Sequence, residues 1–314
     1  MKYLIILLCL FSFKNSEAQK KKNVYSLDIN EKVTTNKEDI AFYRVIEEPD
    51  TVNSYFKMTE YYKNGQIKRI ANLFNFDPFI VYGEGTVMSY YPNGAKQSLV
   101  FHTHLKQDFK NFYFYPSGKH KETNSSYVKA GTSTLKTEQV SDTSGVDFLD
   151  EKGNGTVLIN DFDGVETKGK YRKGYKKGLW TYKNNIDGSI VKETYKNGKL
   201  FIGENTTKEG ITYNYKFELT YPSTNLIERE KRDKTILGSY FEFSTEILDK
   251  KGIVKLLFDL TEEGEIKDLK VFRSLSELSD EKAINIVKNK KWYPAKLRGK
   301  PINSYLVQTT IYFQ

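Results

Sequence analysis

The chain has 314 residues and a formal net charge of +9, and its aromatic content rests on 23 Tyr and 20 Phe against 3 Met and 7 Pro. That length suits two domains of about 100–200 residues each, and the Tyr- and Phe-rich text favours antiparallel β structure over helix. Cys9 is the only cysteine, so removal of a leader containing it excludes disulfides, a thiol nucleophile and thiolate metal sites.

Met1 to Ala18 reads as a secretory signal peptide. Lys2 gives the positive start, Tyr3 to Phe13 the short apolar core, and Ser16-Glu17-Ala18 the small residues of a cleavage site. The apolar run is shorter than the about 20 residues that span a bilayer, so no membrane span is expected after cleavage. For an exported protein no nucleic-acid partner is expected, and the surplus Lys reads as a solvated basic surface. Gln19 to Asn23 is expected to be a disordered lead. Ala41 to Ile46 alternates like a half-buried strand.

From Tyr55 to Glu204 one unit recurs. Tyr61-Tyr62-Lys63-Asn64-Gly65-Gln66-Ile67-Lys68 returns as Tyr90-Tyr91-Pro92-Asn93-Gly94-Ala95-Lys96, as Tyr113-Phe114-Tyr115-Pro116-Ser117-Gly118-Lys119 and as Tyr195-Lys196-Asn197-Gly198-Lys199. Asn-Gly between β-forming runs is a hairpin signal, because both residues tolerate the positive φ of a tight turn. Lys121 to Ser144 interrupts the rhythm with polar text and reads as an inserted loop. With Gly169-Lys170-Tyr171-Arg172-Lys173-Gly174 and Gly178-Leu179-Trp180-Thr181-Tyr182, the chain resembles the MORN-type repeat and its YwqK-like bacterial variant. The resemblance implies stacked β-hairpins forming an elongated twisted sheet. Glu228 to Lys234 is a dense charge run and marks the expected domain boundary.

Beyond Lys251 the text changes. Val254, Leu256, Phe258 and Leu260 alternate along one strand face, Glu262-Glu263-Gly264 turns, and Ile266 to Phe272 returns. Ser279 is the expected N-cap of a helix with Ala283, Ile286 and Val287 on its apolar stripe. Ile302 to Phe313 forms the last strand, with Tyr305, Val307, Thr309, Ile311 and Phe313 on one face. The expected order is β-β-α-β. Phe258-Asp259-Leu260, Glu263-Gly264-Glu265-Ile266, the helix Asp280 to Val287, Trp292-Tyr293-Pro294-Ala295, Gly299-Lys300-Pro301 and Ile311-Tyr312-Phe313 make this segment resemble the C-terminal domain of TonB energy transducers. The resemblance implies a periplasmic module that binds outer-membrane receptors by adding a short receptor strand beside its last strand. Carried over, Leu306, Val307, Gln308, Thr309, Thr310, Ile311 and Tyr312 supply the partner-binding edge. The transducer's His-bearing membrane helix and Pro-rich spacer have no counterpart in these residues, so the likeness is to the binding module and does not extend to the motor-coupled protein.

No catalytic, cofactor-binding or metal-ligating set is nominated, and neither a cofactor nor a small-molecule substrate is expected. His102 and His104 share a strand face without a third ligand. Asp161-Phe162-Asp163-Gly164 lacks the remaining positions of a calcium loop and reads as a turn, and Trp180 and Trp292 read as core. The fold expected is mainly β: an elongated antiparallel hairpin-repeat sheet plus a small α+β TonB C-terminal-like domain. Its units are a signal peptide at 1–18, the MORN-like repeat domain at 19–232 and the TonB-like domain at 233–314. The function expected is that of a non-enzymatic periplasmic protein of a Gram-negative envelope, binding an outer-membrane receptor or another envelope protein by β-strand addition. The alternative is an adaptor that binds through the repeat face, with the C-terminal module as a cap.

Overall fold

The computed structural model describes residues 21–49, 54–74, 83–102, 109–129, 132–224, 239–244 and 250–313. The signal-peptide reading, His104 and the 232/233 boundary lie outside these residues. Two antiparallel meanders come first. The nine-stranded one runs in chain order through β1 (Lys22–Leu27), β2 (Phe42–Glu47), β3 (Phe56–Tyr62), β4 (Ile67–Leu73), β5 (Gly83–Tyr90), β6 (Lys96–His102), β7 (Phe109–Phe114), β8 (His120–Lys129) and β9 (Thr132–Val140). The six-stranded one holds β10 (Gly155–Asn160), β11 (Val165–Arg172), β12 (Tyr175–Asn184), β13 (Ile190–Lys196), β14 (Lys199–Thr206) and β15 (Thr212–Tyr215). The remaining elements are β16 (Leu219–Thr220), β17 (Ser239–Phe243), β18 (Gly252–Leu260), β19 (Ile266–Arg273), α1 (Glu277–Lys288), β20 (Ala295–Leu297), β21 (Lys300–Ile302) and β22 (Ser304–Phe313). The fold is mainly β, with hairpin sheets followed by an α+β unit. Two expectations near the start and middle change: Lys22 and Asn23 belong to β1, and Lys121 to Ser144 holds most of the paired strands β8 and β9.

The repeated Tyr-Asn-Gly unit builds one turn geometry. The Gly65 N–H donates to the Tyr62 carbonyl at 2.9 Å while the Tyr62 N–H donates to the Gln66 carbonyl at 2.8 Å, and the same pair of bonds recurs at 91–95 and 115–119. This is a three-residue loop closed by a glycine in the left-handed region, with φ of 83° at Gly65 and at Gly94. Asn64 is not in that region. Its Oδ1 instead accepts the Gln66 N–H at 3.1 Å. Asn197-Gly198, with φ of 51° and 75°, forms instead the two-residue turn in which both residues need positive φ, as do Lys173-Gly174 and Arg298-Gly299.

The units then clasp one another side by side. Tyr62 Oη donates to the Tyr90 carbonyl, Tyr91 Oη to Phe114 and Tyr115 Oη to Ser141, at 2.8–2.9 Å. Asn64 Nδ2 and Asn93 Nδ2 reach the carbonyls of Pro92 and Pro116, each in the next turn. The aromatic pairs of the repeat therefore fix the spacing of its turns, which explains why the sequence keeps rewriting them.

The interior of the hairpin sheets is polar as well as apolar. Arg44, Glu60 and Arg69 are directly opposite on β2, β3 and β4, with Arg44 and Glu60 2 % and 0 % exposed. Glu60 Oε1 lies 2.7 Å from an Arg44 nitrogen and its Oε2 2.8 Å from Arg69 Nε. Next to this row sits a small apolar cluster of Ile46, Met58, Ala71 and Leu73. In the second meander Trp180 is buried with Val157, Ile159 and Tyr171. Its ring lies over Gly169, where a Cβ would come within 2.1 Å of it. Asn111, Thr123, Asn124, Ser125, Ser126 and Thr137 are also buried, which accounts for the polar text of β8. Some of these side chains bond within the sheet, as where Asn111 Oδ1 accepts the Phe101 N–H and Ser125 Oγ donates to Glu138.

Candidate partner-binding strand

The terminal unit is a four-stranded sheet in the order β17-β22-β18-β19 with α1 on one face. Alternation along β18 sends Val254, Leu256, Phe258 and Leu260 toward α1, where Ala283, Val287, Trp292, Val307, Ile311 and Phe313 complete the core. The Phe258 and Trp292 rings meet edge-on at 4.8 Å. The cap of α1 is Ser276 instead of the expected Ser279. Its Oγ accepts the Ser279 N–H, and Ser279 itself lies buried within the first turn. A small hairpin, β20–β21, intervenes before the last strand, so Ile302 belongs to β21 and β22 starts at Ser304.

Ser304 to Phe313 contains no charged residue and no proline, and Val307, Thr309, Thr310, Ile311 and Phe313 are buried. Tyr305 departs from the expected face and is 43 % exposed. The cause is a bulge: Phe258 pairs with Val307 but Leu260 with Ser304, which leaves an extra residue on β22 and puts Leu306 at a φ of 54°.

Of the expected open edge, Leu306 to Tyr312, the five residues from Gln308 to Tyr312 are paired on both sides. Antiparallel β18 runs along one side from Gly252↔Phe313 to Leu260↔Ser304. Along the other side lies β17, parallel, from Ser239↔Gln308 to Phe243↔Tyr312. Sequence reading missed β17 because its five-residue text, Ser239–Phe243, falls outside the motifs that carry the resemblance. The direction of the backbone groups follows from one bond, in which the Ser244 N–H donates to the Tyr312 carbonyl at 2.7 Å. A residue's N–H and C=O point to the same side of a strand, and sides alternate. The N–H groups of Gln308, Thr310 and Tyr312 therefore face β17, and those of Val307, Thr309 and Ile311 face β18. The far edge of the sheet, β19, carries Lys267, Asp268, Lys270 and Arg273, charges of the kind that blunt an edge against pairing.

The face of the sheet opposite α1 is closed too, with Leu257 0 %, Thr310 2 % and Asp259 8 % exposed. Lys32, from the loop after β1, meets this face at Asp259 and Asp268. Burial works against the Lys32 charge, but its hydrogen bonds and proximity to the two carboxylates outweigh that and raise its pKa. At another point β16 pairs with β20, and Arg298, at the tip of the β20–β21 hairpin, enters the second meander. Its Nη2 donates to Glu218 at 2.9 Å, its Nε lies 3.5 Å from buried Glu193, and its guanidinium carbon is 4.9 Å from the Tyr182 ring centroid. Glu193 also accepts from Tyr195 Oη and Tyr215 Oη, each at 2.7 Å. None of these ties was predicted, since charged residues 80 to 236 positions apart leave no pattern in the text.

Residues 246–314 match the family described as the Gram-negative bacterial TonB protein C-terminal. The terminal domain is TonB-like. The matched family is a non-enzymatic energy-transduction and binding domain of Gram-negative envelope proteins. The match ends short of β17, which lies just before it. No curated protein matches the chain. The MORN-type identity of the hairpin sheets is not part of the match, although their geometry fits a hairpin repeat.

Among the described residues no helix is long and apolar enough to cross a membrane, and no group of three or more His, Cys, Asp or Glu is arranged to hold a metal ion. Asp161 to Gly164 is a turn, in which Asp163 accepts the Val165 N–H and Gly164 has a φ of 80°. His102 ends β6. Trp180 and Trp292 are both core residues, 2 % and 5 % exposed.

Proposed function

We propose that this is an exported, periplasmic protein that binds an outer-membrane receptor or another envelope protein by β-strand addition, with the incoming strand taking the place of β17 along Leu306 to Tyr312. One observation carries the reading: the strand that covers this side of β22 comes from outside the TonB-like match. Within residues 246–314, β22 has an open side without charge or proline. β17 is a five-residue parallel partner on that side, whereas β18 holds the other side along nearly the whole strand. Parallel pairing is slightly weaker per residue, so β17 is the strand that yields first. The adaptor reading, with the module as a cap on the repeat sheets, is supported by the Lys32, Arg298 and β16–β20 ties.

Two proline variants have opposite signs under strand exchange. The Glu242 N–H faces β22, so Glu242→Pro weakens β17 without touching the site beneath it. Gln308→Pro removes a donor from the site itself. A fluorescent peptide with the sequence of Ser239–Ser244 is the probe. It should bind the Glu242→Pro protein, bind the unaltered protein weakly, and fail to bind Gln308→Pro or the double variant, each shown folded by circular dichroism. Equal binding to the unaltered and Glu242→Pro proteins rules out exchange and leaves the adaptor reading.

A further inference from the structure

The loop between β1 and β2 brings one lysine into the TonB-like domain. Lys32 Nζ lies 2.6 Å from Asp259 Oδ2, 3.0 Å from Asp268 Oδ2 and 5.9 Å from the centroid of the Tyr305 ring. The loop that presents it is fixed on both sides. Asp28 Oδ1 accepts the N–H groups of Asn30 and Lys32, and Glu31 pairs with Lys68 and Arg69 on β4.

The receiving notch is built from backbone irregularities of the two strands that flank β18. Opposite Asp259, β19 and β22 each carry one extra residue. Each also holds a non-glycine residue in the left-handed region nearby, Asp268 at 53° and Leu306 at 54°. Asp259 joins the two functions of the notch. One oxygen accepts the Leu306 N–H at 3.1 Å, which stabilises the bulge, and the other takes the lysine. A leucine at such a φ is strained and persists when its surroundings hold it. Without the lysine, Asp259, with its side chain 12 % exposed, loses this ion pair, while Asp268, 72 % exposed, stays in water.

We propose that Asp259, Asp268 and Tyr305 form a recognition site for a primary ammonium group, filled in cis by Lys32, and that this seated lysine latches the bulged start of β22 to the hairpin sheets. An ammonium carries three donors and a compact charge. Two carboxylates and an aromatic ring face answer both needs. The site lies at the Ser304–Leu306 end of β22 and stands whether or not β17 exchanges.

Chemical rescue in the full chain tests the latch. Lys32→Ala should speed amide hydrogen exchange at Leu306 and Val307 by at least about tenfold relative to Val254 in β18, through local opening. n-Butylammonium chloride at tens of millimolar should restore the protection by occupying the vacated position. Sodium chloride at the same ionic strength should not, and neither should tetramethylammonium, which has charge but no N–H donor. If Lys32→Ala does not fold, Lys32→Met, which keeps the aliphatic stem, carries the same comparison. Unchanged exchange at Leu306 in the folded variant overturns the proposal, as does equal rescue by sodium chloride.

Discussion

The hairpin sheets and the TonB-like domain solve the same problem by different means. In the terminal domain one apolar cluster, from Val254 to Phe313, fills the space between a sheet and a helix. In the hairpin sheets the apolar clusters are small, and the positions between them hold Arg44, Glu60, Glu193, Asn111, Asn124 and Thr137. The order of the sheets comes from turn-to-turn hydrogen bonds and charge rows that run across the strands. A meander has no second layer to bury an apolar face everywhere, so it specifies its register with polar pairs. The terminal domain has such a layer in α1, and hydrophobic burial suffices there.

The largest effect that separates the two should come from Glu60. Glu60→Gln keeps the shape but leaves Arg44 and Arg69 without their shared carboxylate, which should cost about 3–5 kcal/mol in chemical unfolding. A loss below about 1 kcal/mol would place the row in the class of solvent-screened pairs and erase the contrast.

A smaller, pH-dependent effect sharpens the same point. Glu31 sits at the rim of this row, where burial works against its charge but Arg69 and Lys68 outweigh it and hold its pKa at about 2. The unfolded chain therefore takes up this proton first. The stabilisation from Glu31 is complete above its ordinary value of 4.5 and is lost as pH falls toward about 2. Thermal unfolding of the unaltered protein should weaken across that window more steeply than that of Glu31→Gln. Parallel profiles would show that Glu31 does not couple to the row.

The two regions also differed in how far the sequence disclosed them. The turns were legible because a glycine in the left-handed region is a local requirement, and Gly65, Gly94 and Gly198 met it. The strand face Val254, Leu256, Phe258, Leu260 was legible because one side of β18 is uniformly apolar. β8 and β9 were not, because apart from Val140 the side chains seen buried there are Ser, Thr and Asn, which read as loop text until their cross-strand partners are known. The candidate site was half legible. Its residues stood out through the lack of charge in Ser304 to Phe313, but the strand beside them and the lysine at its bulge are contributions from distant parts of the chain. Pairing of that kind depends on topology and leaves no periodicity to read.

If β17 occupies a side of β22 kept for another strand, amide hydrogen exchange along β22 will differ between its two sides. Gln308, Thr310 and Tyr312 direct their N–H groups at β17, while Val307, Thr309 and Ile311 direct theirs at β18. The unaltered protein should then show an alternating pattern. The first three should exchange through local release of β17, and the other three should stay protected until the whole domain opens. Uniform protection along all six residues would contradict it, because β17 would then be a permanent part of the sheet and the strand would have no free side to offer.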